Sequence, residues 1–145
     1  MTSLLKAAKF ARLAHAGHKR AHGAPYFGHP RAVAKSLWKA GYRGATISAA
    51  YLHDTVEDCG VTFETLETLF GAEVTRLVRA VTKAKAETHE EAYRRIKAAG
   101  PEAIALKRAD RAHNNSELHL APPEATALRE KAARKTALLE KIFSE

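Results

Sequence analysis

The sequence predicts an all-α fold, a bundle of about seven to eight helices in a single domain over residues 1–145. Apolar side chains recur at spacings of three and four residues along most of the chain, which is the period of an amphipathic helix. No alternation typical of a β-strand runs for more than a few residues. The chain has 145 residues, of which 46% are hydrophobic, and this is enough to bury one core.

The first three predicted helices occupy the amino-terminal third of the chain. Ser3 is expected to cap the first helix, because its hydroxyl can accept a hydrogen bond from a free backbone N–H. After a loop that contains glycine and proline, His29 and Pro30 open a second helix, which Gly41 ends. A third helix over about residues 46–55 is apolar on most sides, so we expect it at the centre of the fold.

The remaining helices are marked by capping residues and prolines. Thr88 and Glu91 match the capping box, in which each side chain bonds the backbone N–H of the other residue. A pair of prolines breaks the chain before the last helix. Thr62 is expected to cap one helix, and apolar spacing from Val74 to Val81 indicates the next. Thr88 caps another helix, Pro101 opens the one after it, and the last helix follows Pro122 and Pro123.

Positive charge is concentrated in the first third of the chain. The chain has 24 lysines and arginines against 16 acidic residues, a formal net charge of +8. Residues 1–53 hold nine of the basic residues and none of the acidic ones. This asymmetry favours an anionic partner, which is a nucleic acid, an acidic membrane surface or a phosphorylated small molecule.

Cysteine content and hydropathy predict a cytoplasmic protein that does not enter a membrane. Cys59 is the only cysteine, so one chain can form neither a disulfide framework nor a thiolate zinc cluster. No apolar run approaches the roughly 20 residues that a membrane span requires. The amino terminus lacks the apolar stretch of a signal peptide.

Histidine and carboxylate side chains at helix ends form the most informative pattern. His53 and Asp54 end the most apolar helix, and Glu57 and Asp58 follow at helical same-face spacing. So many carboxylates repel one another unless a cation compensates them. Imidazole and carboxylate ligands suit Mn, Fe, Zn or Ni, whereas too few oxygens are present for a calcium cage. A divalent metal with open positions lowers the pKa of a bound water and prepares it to attack phosphorus.

Each of these residues also has an ordinary interpretation. His29 before a proline can be a helix-start residue, Asp110 can pair with Arg111 at the surface, and residues 57–58 can form a solvated turn. The six other histidines are expected to be surface residues or neighbours of a site; they are His15, His18, His22, His89, His113 and His119.

Three separated segments resemble the HD-domain metal phosphohydrolases, which show the order H, HD, D. The segments are His15 to Pro30 (HAGHKRAHGAPYFGHP), Leu52 to Asp58 (LHDTVED) and Lys107 to Asn114 (KRADRAHN). They are similar to the hydrolase domain of the RelA/SpoT family and, by chain length, to the stand-alone small alarmone hydrolases of the Mesh1-like group. The similarity covers about residues 4–118.

The resemblance implies a single HD-domain helical bundle that hydrolyses (p)ppGpp at its 3′-diphosphate and releases pyrophosphate with GDP or GTP. It implies one Mn²⁺ per chain, held by His29, His53, Asp54 and Asp110. By the same resemblance, Glu57 and Asp58 act on the attacking water near the leaving diphosphate, Arg20 contacts the nucleotide, and Asn114 contacts its sugar or phosphate. Lys19, Arg108 and Arg111 are placed near phosphate on their charge alone.

Two departures from the family pattern bear on the substrate. Ala21 and His22 stand where the family usually has a lysine and a small residue, so one cation is lost. Residues 115–117, Asn-Ser-Glu, replace a segment that often carries an arginine. A chain of this length is not expected to contain an alarmone synthetase.

Two other functions are consistent with the sequence. One is an HD phosphohydrolase of another nucleotide, such as a nucleoside monophosphate or NADPH. The other is a basic helical module that binds nucleic acid, although the few aromatic residues and the absence of a helix-turn-helix signature make nucleic acid a less favoured partner. For the hydrolase, we expect the cations of residues 1–53 to form a wall that faces the carboxylate cluster across the nucleotide.

Overall fold

A computed structural model describes residues 2–145, and these residues form nine α-helices and one short 3₁₀ helix. Met1, which the predicted domain includes, lies outside the described residues. The all-α prediction is confirmed, and within residues 2–145 no helix is long and apolar enough to cross a bilayer. The elements are α1 (Ser3–Ala14), α2 (Gly28–Lys39), α3 (Ala45–Leu52), α4 (Thr55–Cys59), α5 (Phe63–Phe70), α6 (Ala72–Val81), α7 (His89–Ala99), α8 (Pro101–Ser116), the 3₁₀ helix (Leu118–Leu120) and α9 (Thr126–Phe143).

Most predicted helix ends are found, with one shift at the amino terminus. Thr2 rather than Ser3 caps α1, because the Thr2 hydroxyl accepts the backbone N–H of Leu5 at 3.2 Å. Thr62 caps α5 as predicted. The capping box of α7 is complete, since Thr88 and Glu91 each bond the backbone of the other.

The predicted helix over residues 46–55 is interrupted at its end. α3 stops at Leu52, His53 and Asp54 form a turn, and α4 begins at Thr55. The Thr55 hydroxyl donates to the carbonyl of Leu52 at 2.8 Å, which closes this turn. His53 and Asp54 therefore lie in the turn between two helices and not within one continuous helix.

The core is built around α3, which packs against α1, α2 and α6. Its side chains at Ile47, Ala49, Ala50 and Leu52 are almost completely buried. α8 packs against α2, α3, α6 and α7, and α9 packs against α7 and α8. This arrangement brings the start of α2, the end of α3 and the middle of α8 to one buried point.

Candidate metal centre and the adjoining cavity

Four buried side chains from three elements meet at that point. His29 lies in the first turn of α2, His53 and Asp54 lie in the turn between α3 and α4, and Asp110 lies in α8. One donor atom from each lies within 4.8 Å of the donor atoms of the other three. The sequence predicted this set of four residues, and the fold brings all of them together.

The hydrogen bonds of His53 indicate that a cation belongs among these side chains. His53 Nδ1 donates to the carbonyl of Ala50 at 2.7 Å, so Nε2 of the neutral ring is an acceptor. Nε2 lies 3.1 Å from Asp54 Oδ2 and 3.3 Å from Asp110 Oδ1, and it is buried without a hydrogen-bond partner. Where no cation lies between them, Asp54 and Asp110 outweigh the opposing effect of burial and raise the pKa of His53 well above its usual value, so a proton on Nε2 then stands where a metal ion would bind. Two carboxylates and a lone pair directed at one point are the environment of a metal ion.

The distances between the donor atoms also fit a metal. Adjacent ligands at about 2.1 Å from an octahedral ion lie about 3.0 Å apart. His29 Nε2 lies 2.8 Å from Asp110 Oδ1 and 3.6 Å from Asp54 Oδ2. The four residues therefore match a centre with two imidazole and two carboxylate ligands, with positions left for water or substrate.

Both aspartates are held by neighbouring donors. Tyr26 donates its hydroxyl hydrogen to Asp54 Oδ2 at 2.8 Å, and Lys107 Nζ donates to Asp110 Oδ2 at 3.1 Å. Burial would raise the pKa of Asp110, but Lys107, the hydrogen bond with His29 and the nearby His53 ring hold it well below its usual value. Each carboxylate therefore keeps its charge and presents a fixed oxygen to the centre.

His113 is a neighbour of the centre on which the sequence analysis placed no specific role. His29 Nδ1 and His113 Nδ1 lie 2.7 Å apart, and the two rings are stacked with centroids 5.0 Å apart. When His29 Nε2 faces a metal, the ring proton resides on Nδ1 and is donated to His113. This contact orients the His29 ring, as hydrogen-bond partners behind metal ligands commonly do. The spacing from Asp110 to His113, one helical turn on α8, was the signal that could have identified it.

Glu57 and Asp58 lie on α4 beside the centre, with their side chains at the surface. Desolvation by the surrounding protein raises the pKa of Glu57, and the charges of Asp54 and Asp58 raise it further. The pKa of Asp58 is raised by the same desolvation and by Asp54. Glu57 lines a small cavity of about 130 Å³ together with Lys107 and Arg111.

A larger open cavity of about 280 Å³ adjoins the centre. Four of the five residues that were predicted near the substrate line it, namely Lys19, Arg20, Arg111 and Asn114. The fifth, Arg108, does not line this cavity, because its guanidinium pairs with Glu140 of α9. Tyr26 connects the cavity to the buried centre, because its side chain lines the cavity and its hydroxyl donates to Asp54. Asn114 also joins them, since its Nδ2 donates to Asp110 Oδ1 at 3.3 Å.

Arg20 is held by a partner that the sequence analysis noted only as a departure. Arg20 donates to Glu117 Oε1 from Nε at 3.1 Å and from Nη2 at 2.7 Å, and Nη2 also donates to Asn114 Oδ1 at 2.9 Å. His22 Nε2 lies 2.8 Å from Glu117 Oε2. The Arg20 guanidinium and the His22 ring are therefore tied to one carboxylate at the cavity edge.

The expected wall of amino-terminal cations is wrong for most of its members. Of the nine basic residues in 1–53, all of which the structure describes, only Lys19 and Arg20 line the cavity. Lys6 instead bonds the carbonyl of Leu69 across the surface. The other positive charges at the cavity are Arg111 of α8 and Lys131 and Lys135 of α9. Lys131 and Lys135 could not be predicted at the site from the sequence. They lie outside the motif segments, and only the packing of α9 brings them to the cavity.

Comparison with known proteins places these features in a family. The family model described as an HD domain matches residues 7–138. The chain is 39% identical over 129 residues to the guanosine-3′,5′-bis(diphosphate) 3′-pyrophosphohydrolase MESH1 of Danio rerio, covering 83% of this chain and 72% of that protein. It is 42% identical over 122 residues to a probable GTP pyrophosphokinase of Mycobacterium leprae, but spans only 15% of that protein.

A solved structure of a metazoan SpoT orthologue, described as hydrolysing ppGpp, is similar over nearly the whole chain. The TM-score is 0.80 at 27% sequence identity, and the match covers 98% of this chain and 84% of the other. The similarity therefore extends through α9, beyond the segments whose motifs carry the resemblance.

Proposed function

Since this chain belongs to the HD-domain family, we propose that it is a metal-dependent hydrolase that cleaves (p)ppGpp at the 3′-diphosphate and releases pyrophosphate with GDP or GTP. The observation that carries the proposal is the buried cluster of His29, His53, Asp54 and Asp110, which opens beside a cavity lined by cations. The similarity to MESH1 over 72% of that protein supports the substrate. The proposed location of the protein is the cytoplasm.

The four residues of the cluster hold one divalent metal, which we propose is Mn²⁺. Two imidazole nitrogens and two carboxylate oxygens suit this ion, and the unpartnered Nε2 of His53 supports its position. When bound, the metal supplies the Lewis acidity that activates water and polarises the phosphoryl oxygens. The protein holds its ligands in place through Tyr26, Lys107 and His113.

Glu57 takes the proton from the attacking water. Its raised pKa brings it closer to neutral pH than an ordinary glutamate, which favours proton transfer. Asp58, one residue further along α4, lies on the side of Tyr26 and orients the water near the leaving diphosphate. Lys107 belongs to the same small cavity as Glu57 and offsets part of the negative charge there.

The substrate phosphates lie against the cations of the larger cavity. Arg20 keeps its bonds to Glu117 and Asn114, and its Nη1, which makes no hydrogen bond within residues 2–145, is left to donate to a phosphate. Lys19 and Arg111 flank it, and Lys131 and Lys135 extend the positive surface along α9. Asn114 stays bonded to Arg20 and Asp110 and contacts the sugar or its phosphate from between them.

The test is a substrate panel on the Mn²⁺-loaded protein. The enzyme is incubated separately with ppGpp, pppGpp, a nucleoside monophosphate and NADPH, and pyrophosphate, orthophosphate and nucleotide products are followed. We expect pyrophosphate with GDP or GTP from the first two substrates alone. Orthophosphate from NADPH or from the monophosphate, with ppGpp intact, contradicts the proposal. Asp110→Asn serves as the matched inactive control, since it removes a charged ligand and keeps the side-chain shape.

A further inference from the structure

We propose that His15, His18 and Cys59 form a second metal site, suited to Zn²⁺, that is separate from the centre at His29, His53, Asp54 and Asp110. From the sequence, both histidines are expected to be surface residues or neighbours of a site, and a single cysteine cannot form a thiolate cluster. The fold changes that interpretation, because it brings the three side chains together. The evidence for this site does not depend on the proposed hydrolase function.

The donor atoms of the three residues lie at the separations that a tetrahedral ion requires. Cys59 Sγ lies 3.3 Å from His15 Nδ1 and 3.9 Å from His18 Nδ1. With Zn–S and Zn–N bonds of about 2.3 Å and 2.0–2.1 Å, a sulfur and a nitrogen on one tetrahedral ion lie about 3.6 Å apart. The two observed distances bracket this value, and the three donor atoms all lie within 4.8 Å of one another.

The fold positions each of these ligands by a separate contact. His15 ends α1 as its C-cap, is almost completely buried, and stacks on Tyr26 with ring centroids 4.7 Å apart. The backbone turns back after it, with Gly17 at φ 84° and the N–H of His18 bonded to the carbonyl of His15 at 2.9 Å. Cys59 ends α4. The site therefore joins the loop after α1 to α4.

The chemistry of this donor set differs from that of the first centre. A thiolate and two imidazoles favour Zn²⁺ over Mn²⁺, because sulfur is a soft ligand. The His15 ring is almost completely buried, and its Nδ1 faces Cys59 Sγ. Binding breaks the Cys59 S–H bond, forms a metal–sulfur bond and releases one proton to solvent. His18 is exposed, so the fourth position on the metal opens to water.

Tyr26 provides a physical connection between the two sites. One face of its ring packs on His15, and its hydroxyl bonds Asp54. A metal on His15 fixes the ring against which Tyr26 packs. Occupancy of the second site therefore restrains a residue that also contacts the first centre and the larger cavity.

Cobalt spectroscopy tests the site on the full-length protein. The metal-free chain is titrated with Co²⁺, and the thiolate-to-cobalt charge-transfer band in the near ultraviolet is recorded. Only Cys59 can produce this band, because the chain has one cysteine and the first centre offers no sulfur. We expect the band in the wild-type protein and in Asp110→Asn, which disables the first centre. In Asp110→Asn it should saturate at one Co²⁺ per chain, and in both proteins Zn²⁺ should displace it.

Variants of the ligands separate a built site from an isolated thiol. Cys59→Ser removes the band, and His15→Gln and His18→Gln each weaken cobalt binding at least about tenfold if both imidazoles are ligands. Far-ultraviolet circular dichroism verifies that each variant is folded. Absence of the band in the wild-type protein, or a band with unchanged affinity in both histidine variants, overturns the proposal.

Discussion

Tyr26 donates its hydroxyl hydrogen to Asp54 Oδ2 over 2.8 Å, and this bond connects the loop before α2 to the turn between α3 and α4. Neither residue alone explains the centre. Asp54 is a predicted metal ligand, whereas Tyr26 lies 28 positions earlier in the sequence and lines the cavity. A substrate that contacts Tyr26 thus lies one hydrogen bond away from the metal ligand.

Removing that bond is expected to weaken metal binding without removing a ligand. Tyr26→Phe keeps the ring that stacks on His15 and deletes only the hydroxyl. Loss of a hydrogen bond to a ligating carboxylate typically lowers metal affinity about 10- to 100-fold. Titration of hydrolysis against Mn²⁺ is expected to show a higher metal requirement, with most of the rate recovered at excess Mn²⁺. Tyr42→Phe is the control, and an unchanged Mn²⁺ requirement in Tyr26→Phe contradicts the role of the bond.

Replacing the proposed base is expected to reduce turnover and leave the metal in place. Glu57→Gln should lower kcat by about 10²- to 10⁴-fold, because a neutral amide cannot accept the water proton. Metal content, measured by atomic absorption, should match that of the wild type. Glu64→Gln on α5, where the side chain is also exposed, should be fully active.

The pH profile gives a second test of Glu57. Its pKa is raised above the usual glutamate value, so the carboxylate takes up a proton at a higher pH than an exposed glutamate. Activity is therefore expected to fall on the acid side at a pH above about 4.3, the unperturbed value. The wild-type log(kcat) profile should show this acid limb, and Glu57→Gln should lack it. An identical acid limb in the variant assigns it to another group.

The Arg20–Glu117 pair predicts different effects on KM for substitutions of its two members. Arg20→Ala removes a phosphate contact and should raise KM for ppGpp with a smaller effect on kcat. Glu117→Gln removes the charge that Arg20 pairs with, so the guanidinium carries more net positive charge toward phosphate. KM should fall or stay constant in that variant. Steady-state kinetics of both variants and of the double variant measure their coupling, and a raised KM in Glu117→Gln means that the carboxylate itself contacts substrate.

The lysines of α9 are expected to contribute to substrate binding, although no motif includes them. Lys131→Ala and Lys135→Ala should each raise KM for ppGpp, and the increase should shrink as salt concentration rises. Lys141→Ala is the matched control, because Lys141 is an exposed lysine on the same helix that does not line the cavity. Equal KM values for all three variants contradict a role for α9 at the site.

Much of the site could be predicted from local sequence, and the missing parts share one physical cause. His29, His53, Asp54 and Asp110 were predicted as ligands because each lies within a short recognisable segment. The capping box and the prolines likewise marked helix ends, because the capping box joins residues only three positions apart. Glu117, His113 and Lys135 were not assigned a role, since their importance comes from residues far away in sequence.

The break between α3 and α4 shows where local patterns are insufficient. Hydrophobic periodicity continued through residues 46–55, so the sequence favoured one helix. In the fold, Thr55 bonds the carbonyl of Leu52 and the chain turns at His53, which directs two side chains into the buried centre. The packing of α3 among α1, α2 and α6 decides this geometry, and periodicity contains no information about it.

By itself, the sequence determined the all-α fold class, the principal helices and the identity of the four side chains proposed as metal ligands, because helical period and short motifs are local properties. Only the tertiary structure decided which cations line the larger cavity and that the Glu117 carboxylate holds Arg20. It also brought His15, His18 and Cys59 within metal-binding distance. These are contacts between segments as much as 97 residues apart, and they exist only after the helices have packed.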